Sequence, residues 1–431
     1  VYKRQAPDFL SFILARMLGG FGVGAALIIA PMYIAEIAPP EQRGRMVSIN
    51  QLNIVIGISA AFFSNYLILS LGESGAAWTQ ALGLDTIGWR WMLGVEAIPA
   101  VVYFLALFVV PESPRWLVMQ GRDDDARSVV ERVRGPAESE ALLAQVHGSL
   151  NAEEKLGKVS FRTLLHPSLR LVLTIGLAVG ILQQATGINA VFFYAPMIFE
   201  QTGVGTNAAF MQAVLVGLVN LVFTVLAMAL IDKLCRRPLL GFGLGGIAVC
   251  MLVLSYGFGS ATYQLDQEAI DSLPAGIEGA QIAAVVDETF HSDVAFRDAV
   301  RATIGREAYA TFESDLIKAA INVNPWLILL AILGFVASFA MSIGPIMWVL
   351  FSELFPNRVR GIAISFVGLV NSAVAFLVTL IFPWELETLG NSLTFLIFAG
   401  IALVGLVFVM RILPETKGRS LEELEATLAS P

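Results

Sequence analysis

Long apolar runs separated by short polar ones dominate this chain of 431 residues. Mostly apolar stretches occupy about 9–34, 46–71, 92–110, 169–199, 210–231, 239–258, 326–350, 362–382 and 393–413. Each is close to the ~20 residues needed to cross a hydrocarbon layer. No water is present there to satisfy backbone N–H and C=O groups, so runs of this length predict α-helices. The pattern predicts an all-α polytopic membrane protein. Two polar segments interrupt it. In 118–167, a helix is predicted over Asp123 to Arg134, with Arg127 and Glu131 at i,i+4 spacing and Gly135-Pro136 as its stop. The segment 259–324 is acidic and partly amphipathic, with Val294, Val300 and Ile304 recurring at helical intervals. The first reads as a cytoplasmic helical linker and the second as a solvated extracytoplasmic cap.

One phrase is written twice. Pro31-Met32-Tyr33-Ile34-Ala35-Glu36-Ile37-Ala38-Pro39, followed by Arg43-Gly44-Arg45, returns as Val349-Leu350-Phe351-Ser352-Glu353-Leu354-Phe355-Pro356, followed by Arg358-Val359-Arg360-Gly361. Pro111-Glu112-Ser113-Pro114-Arg115 is likewise echoed by Pro414-Glu415-Thr416-Lys417-Gly418-Arg419. So long a period indicates two homologous multi-helix halves. The first three apolar runs align with the last three, and the middle three have no counterpart. The expectation is a fragment edge at 1–7, the remainder of an N-terminal half at 8–117 and the linker at 118–167. A C-terminal half then follows at 168–258 and 325–415 around the insert 259–324, with a cytoplasmic tail at 416–431.

Composition agrees with membrane residence: 56% of residues are hydrophobic and 14% are charged, and the mean hydropathy is +0.74. Arginines and lysines fall after alternate runs, at Arg43, Arg45, Arg115, Lys233, Arg236, Arg237, Arg358, Arg360, Lys417 and Arg419. The intervening short loops hold Glu73, Asp85, Glu200, Glu385 and Glu387. Cations collect on the cytoplasmic side, which predicts a cytoplasmic C-terminus. Cys235 and Cys250 lie in a loop and in mid-run, and the three histidines lie in the polar inserts. No metal-ligand spacing, nucleophile with a base, or phosphate-cradling loop emerges, so neither an enzyme nor a metal or cofactor is expected.

Inside the apolar runs two ionisable side chains stand deep, Arg16 and Glu96. A charge near the bilayer centre costs about 3 kcal/mol even on the insertion scale, so it is expected to have a partner and a function. Gln183-Gln184-Ala185-Thr186-Gly187-Ile188-Asn189 places three amides at mid-depth beside a glycine able to open the helix. Broken helices at the midplane are where transporters hold cargo. Gln51 and Asn220 add amides at similar depth, and Trp348 follows Gly344-Pro345. Amides exchange hydrogen bonds with neutral hydroxyls, and an indole face suits the C–H surface of a sugar ring.

Pro111-Glu112-Ser113-Pro114-Arg115-Trp116-Leu117, Gln183-Gln184 through Gly187-Ile188-Asn189, Asp232-Lys233-Leu234-Cys235-Arg236-Arg237-Pro238 and Pro414-Glu415-Thr416-Lys417-Gly418 resemble the sugar porter family of the major facilitator superfamily. The likeness extends to bacterial sugar-proton symporters and animal facilitative glucose transporters. It implies a twelve-helix fold in two halves, of which these nine runs would be helices four to twelve, without the first three. It also implies that Gln51, Gln183, Gln184, Asn189, Asn220, Trp348 and Asn371 contact a small neutral sugar. Glu36, Arg43, Asp232, Arg236, Arg237, Glu353 and Arg360 would form a cytoplasmic charge network that holds the outward-open state. Arg16 and Glu96 would couple a proton to the sugar.

Departures qualify the likeness. Ile58 and Asn371 stand where the bacterial xylose symporter has glutamines, and Phe193 replaces a tyrosine while Tyr194 is kept. The pocket thus resembles that of the glucose transporters, although the coupling residues resemble those of the symporters. The expected function is a proton-coupled symporter for a hexose such as glucose, or for a pentose, working by alternating access in the bacterial inner membrane. A passive uniporter and a non-transporting sugar sensor are the alternatives. The proton is the only coupling species expected, the bilayer is the surrounding partner, and no nucleic-acid partner is expected. The oligomeric state is left open, with a monomer the expectation.

Overall fold

The structure, a computed structural model, describes residues 9–37, 40–136, 139–140, 142–144, 146–148, 161–231, 234–267, 270, 285–355 and 359–415. The chain divides into two compact units, Val1–Val159 and Ser160–Pro431. Among the described residues, nine helical stretches are long and apolar enough to cross a membrane, and each overlaps one of the nine apolar runs.

The first unit holds α1 (Phe9–Ile37), α2 (Pro40–Glu73), α3 (Ala77–Ala81), α4 (Leu84–Gly94), α5 (Ala97–Leu107), α6 (Pro114–Met119) and α7 (Asp123–Arg134). Its third span covers Leu84–Leu107 and so begins upstream of the run at 92–110. Arg90, whose charge interrupts the apolar pattern, is 3% exposed, and its guanidinium lies over the Trp89 ring at 4.8 Å. A cation over an indole face is partly relieved of its desolvation, so the helix accommodates it. The span is interrupted between α4 and α5 at Val95 and Glu96. On the polar side, Ser113 caps α6 by accepting from the Trp116 amide at 3.3 Å, and Pro114 occupies the first turn, where its missing N–H costs nothing. Leu117 and Val118 of α6 pack on Ala126 and Val129 of α7. The predicted Arg127–Glu131 pair does not form: Arg127 reaches Glu140 at 3.9 Å, since the segment after Gly135 folds back against α7.

The second unit holds α8 (Arg170–Ala185), α9 (Ile188–Glu200), α10 (Thr206–Leu230), α11 (Arg236–Gly259), β1 (Thr262–Tyr263), α12 (Asp293–Ile304), α13 (Arg306–Ala320), β2 (Ile321–Asn322), α14 (Pro325–Met341), α15 (Ile343–Leu354), α16 (Arg360–Thr388) and α17 (Gly390–Ile412). The centre is α11, flanked by α14 and α17, while α8 packs on α16. Close approach is achieved with glycine. A Cβ on Gly243 would overlap the Ser342 hydroxyl, and one on Gly246 would stand 2.5 Å from the Ser338 hydroxyl. Small residues let apolar helices exchange van der Waals contact at short range, which is the main attraction available in lipid.

Two further features, both in the second unit, depart from the sequence reading. The seventh run, read as one helix over 326–350, breaks at Ser342, where φ is −127° and ψ −100°. Pro345 has no N–H to donate to the carbonyl of Met341 and its ring crowds that turn, while the Ser342 hydroxyl donates to the Ser338 carbonyl at 2.6 Å. The all-α reading also needs a small correction, because β1 and β2 pair antiparallel with Thr262 opposite Asn322. The two ends of the insert leave the membrane helices side by side, and their backbone groups satisfy one another. The insert has its own core, in which Tyr263, Phe296, Val300, Tyr309 and Leu316 are buried together.

Candidate sugar site and charge anchors

The amide site is made by a helix break. Gly187, at φ +89°, ends α8 and caps α9, a left-handed conformation that glycine adopts without the usual Cβ penalty. The break turns Gln183, Gln184 and Asn189 toward α16 and toward one another. Asn189 Nδ2 donates to Gln184 Oε1 at 2.8 Å, and Gln184 Nε2 donates to Gln183 Oε1 at 3.1 Å and to Asn371 Oδ1 at 3.2 Å. Asn371 Nδ2 in turn donates to Gln183 Oε1 at 2.7 Å and to the Gly180 carbonyl at 2.8 Å. Gln183 Nε2 reaches the Gly344 carbonyl at 3.4 Å, just past the break in the seventh span. Gln183 and Asn371 are buried, whereas Gln184 and Asn189 are half-buried. Two amides are therefore fixed by protein bonds, and two keep faces open to an incoming hydroxyl.

Four of the seven expected sugar contacts thus form one bonded set in the second unit. Asn220 is buried on α10 and is not hydrogen-bonded to that set among the described residues. Trp348 is 46% exposed on α15, with its ring edge against Phe351 at 6.0 Å. The structure places Gln51 half-buried on α2 in the first unit. Phe193 is exposed, while the Tyr194 hydroxyl donates to the Thr379 carbonyl at 3.4 Å.

Arg16 and Glu96 meet, with Nη1 3.2 Å from Oε2. Their side chains are 57% and 63% exposed, so the pair stands on an open face of its unit. Glu96 falls at the α4–α5 interruption, a position that the sequence reading did not identify as a break.

The expected charge network resolves into separate anchors. Glu36 accepts from the Ser113 hydroxyl, which joins the first repeated phrase to its closing phrase. In the second unit, the buried Arg236 donates to Glu353 Oε1 at 2.9 Å and to the Ile231 carbonyl at 2.7 Å. Arg237 donates to the Met410 carbonyl, and Arg360 donates to the Phe355 carbonyl at 3.0 Å. Asp232 and the side chain of Arg43 lie outside the described residues. The sequence reading missed Glu415 as a site residue. Its carboxylate accepts from the backbone amides of Arg236 at 2.9 Å and Arg237 at 3.1 Å, which places an anion on the N-terminus of α11. The Pro-Glu phrase that closes the last span was the available signal.

The family model described as sugar (and other) transporter matches residues 4–286 and 308–428. This chain belongs to that family. Among curated relatives, the arabinose-proton symporter of Bacillus subtilis is 35% identical over 429 residues, covering 99% of this chain and 76% of the relative. The D-xylose-proton symporter of Escherichia coli is 33% identical over 421 residues, covering 96% of this chain and 71% of the relative. Among solved structures, the xylose transporter XylE from E. coli in a partially occluded inward-open conformation superposes with a TM-score of 0.68 at 30% identity. That match covers 97% of this chain and 75% of the other. As a family member the chain is a multi-pass helical membrane protein of the major facilitator fold.

Proposed function

We propose that this protein is a proton-coupled sugar symporter working by alternating access. The single observation that carries the sugar assignment is the bonded set of Gln183, Gln184, Asn189 and Asn371 at the break between α8 and α9. Neutral donors and acceptors that satisfy one another when empty can re-pair with hydroxyls at little net cost, because each exchange is worth only about 0.5–1.5 kcal/mol. That chemistry suits a neutral polyol and offers no counter-charge to an acid or an amine. Asn220 and the exposed Trp348 ring are assigned to the same cargo, and the resemblance alone assigns it to Gln51. The arabinose and xylose symporters named above, a glucose transporter of Staphylococcus epidermidis at 31% identity, and a proton:xylose symporter solved with 6-bromo-6-deoxy-D-glucose support a hexose or pentose.

Coupling is assigned to Glu96 with Arg16. When Glu96 takes a proton it loses the charge that holds Arg16, and release of that proton restores the pair. The anchors at Glu36, Arg236, Arg237, Glu353 and Arg360 would steady one end of each half, and Arg43 and Asp232 are assigned there by resemblance. The nine spans would be helices four to twelve of the family's twelve-helix plan, a register supported by the duplicated phrases. The alternation of basic loops supports a cytoplasmic C-terminus, and the bacterial relatives support a bacterial inner membrane. The test uses the natural full-length protein in liposomes with an inward proton gradient. Sugar should accumulate above equilibrium, and Glu96→Gln should exchange sugar without accumulating it. Wild-type protein that only equilibrates sugar under every gradient would establish the passive uniporter, and sugar binding without any flux would establish the sensor.

A further inference from the structure

Beyond the transport site, the insert and the membrane helices enclose a small polar chamber lined by Gln201, Asp293, Arg297, Tyr309 and Asn391, with Tyr263 and Phe296 among its walls. These residues come from three places. Gln201 follows α9, Asp293, Arg297 and Tyr309 belong to the insert helices α12 and α13, and Asn391 opens α17. The surrounding bonds match the helix ends they meet. Asp293 accepts from the backbone amide of Asn391 at 2.9 Å and from its side-chain amide at 2.8 Å, an anion at the start of α17. Arg297 donates to the Leu386 and Glu387 carbonyls at 3.3 and 3.1 Å, a cation at the end of α16. Arg301 adds an ion pair with Glu387 at 3.0 Å. Each charge opposes the partial charge of the terminus it faces.

The chamber itself is left unsatisfied. Gln201 Oε1 and Asn391 Oδ1 are buried without hydrogen-bond partners, Arg297 Nε has only a long ion pair to Glu313 at 3.9 Å, and the Tyr309 hydroxyl lies against Arg297 without a bond of good geometry. All four residues are more than nine-tenths buried. Leaving such groups dry is costly, and native proteins satisfy nearly all of them. The space is about that of one water molecule. Its chemistry is that of water as well, because two carbonyl oxygens accept while a guanidinium N–H and a phenol donate. Burial foremost, then the Glu313 charge, pushes the Tyr309 hydroxyl up to about 12, so it keeps its proton and remains a donor.

We propose that this chamber holds one ordered water, donating to Gln201 and Asn391 and accepting from Arg297 and Tyr309, which makes the insert a fixed brace on the ends of α9 and α17. Such a joint distinguishes a brace from a solvated cap or a swinging lid, since either of those would leave the insert free to exchange with solvent. A structure of the full-length protein at about 2 Å, a resolution at which buried waters are seen, should show a density peak within bonding distance of Gln201 and Asn391. A closed chamber in which those oxygens bond directly to protein donors would overturn the site. The second measurement is amide hydrogen exchange on Gln201→Met, which removes one acceptor while preserving side-chain length. Exchange in α12 and the first turns of α17 should quicken about fivefold to tenfold, the expected effect of losing one bridged bond, with α8 unchanged. Equal exchange in variant and wild type would overturn the brace.

Discussion

The two units each break an apolar span at mid-length, and they place opposite chemistry at the break. In the first unit the interruption between α4 and α5 carries Glu96, which faces Arg16 with both side chains more than half exposed. In the second, the interruption at Gly187 carries amides that bond to one another and lie half-buried or buried. Full charges need a solvated or responsive setting, since an ion pair removed from water loses about as much in desolvation as it gains in attraction. Neutral amides can be enclosed as soon as every donor finds an acceptor. Under the proposed function the difference separates the duties: the charged break is assigned the group that gains and loses a proton, and the neutral break the group that holds an uncharged ligand.

The anchors repeat that contrast. The acid of the first repeated phrase, Glu36, takes a neutral hydroxyl from Ser113, whereas Glu353 takes the buried Arg236, whose own amide is held by Glu415. The spans of the first unit bury 0–11% of their most apolar windows, against 11–61% for those of the second, with the span that carries the amides at the top of that range. Its three spans leave most of their apolar surface uncovered, and the second unit surrounds α11 on several sides.

The largest effect should come from dissociating function from stability at the charged break. Glu96→Gln should abolish gradient-driven accumulation in liposomes yet leave the thermal unfolding midpoint in detergent nearly unchanged, because the pair stands on a face its own unit does not cover and glutamine keeps the shape and a hydrogen-bond acceptor for Arg16. A large fall in that midpoint would erase the proposed difference between the breaks. Next, Asn371→Leu should remove one bond each from Gly180 O, Gln183 Oε1 and Gln184 Nε2, at about 0.5–1.5 kcal/mol apiece, while Gln184 Nε2 still donates to Gln183 Oε1. It should lower both the midpoint and sugar affinity measured by calorimetry, the latter by about tenfold. Loss of affinity without loss of stability would make Asn371 a pure ligand contact.

A third substitution examines packing without touching either break's polar groups. Gly243→Ala forces its new methyl into Ser342 and should cost about 1–3 kcal/mol by overpacking, read as a lowered midpoint. Gly187→Ala should cost about 1–2 kcal/mol, because φ +89° is unfavourable for any residue with a Cβ. Its methyl would also stand 3.1 Å from Phe398. Sugar affinity should fall with it, since the break aims Asn189. The smallest effect should be that of Ser113→Ala, about 1 kcal/mol for a lost cap, with Glu36 deprived of a donor. A fall larger than that of Asn371→Leu would overturn the ranking of the two units.

Much of this was legible in order along the chain. The nine spans follow from run length and the absence of water in hydrocarbon, and the break at Gly187 follows from a glycine among amides. The helix at Asp123–Arg134 and its stop at Gly135 follow from local stop chemistry. These depend on backbone satisfaction and conformational preference, which neighbouring residues settle. Tertiary structure alone decided which polar groups meet. Asn371 lies far along the chain from Gln183, Arg127 chose Glu140 over Glu131, and Ser342 broke a run that Pro345 only permitted to break. Glu415 became the cap of α11, and the polar residues of the insert closed a chamber around unpaired atoms. A hydrogen bond is strong only at short range and good angle, and those distances are set by how helices pack across the fold. The sequence therefore fixes where a span must run and which groups are expensive to bury, and packing assigns each expensive group its partner.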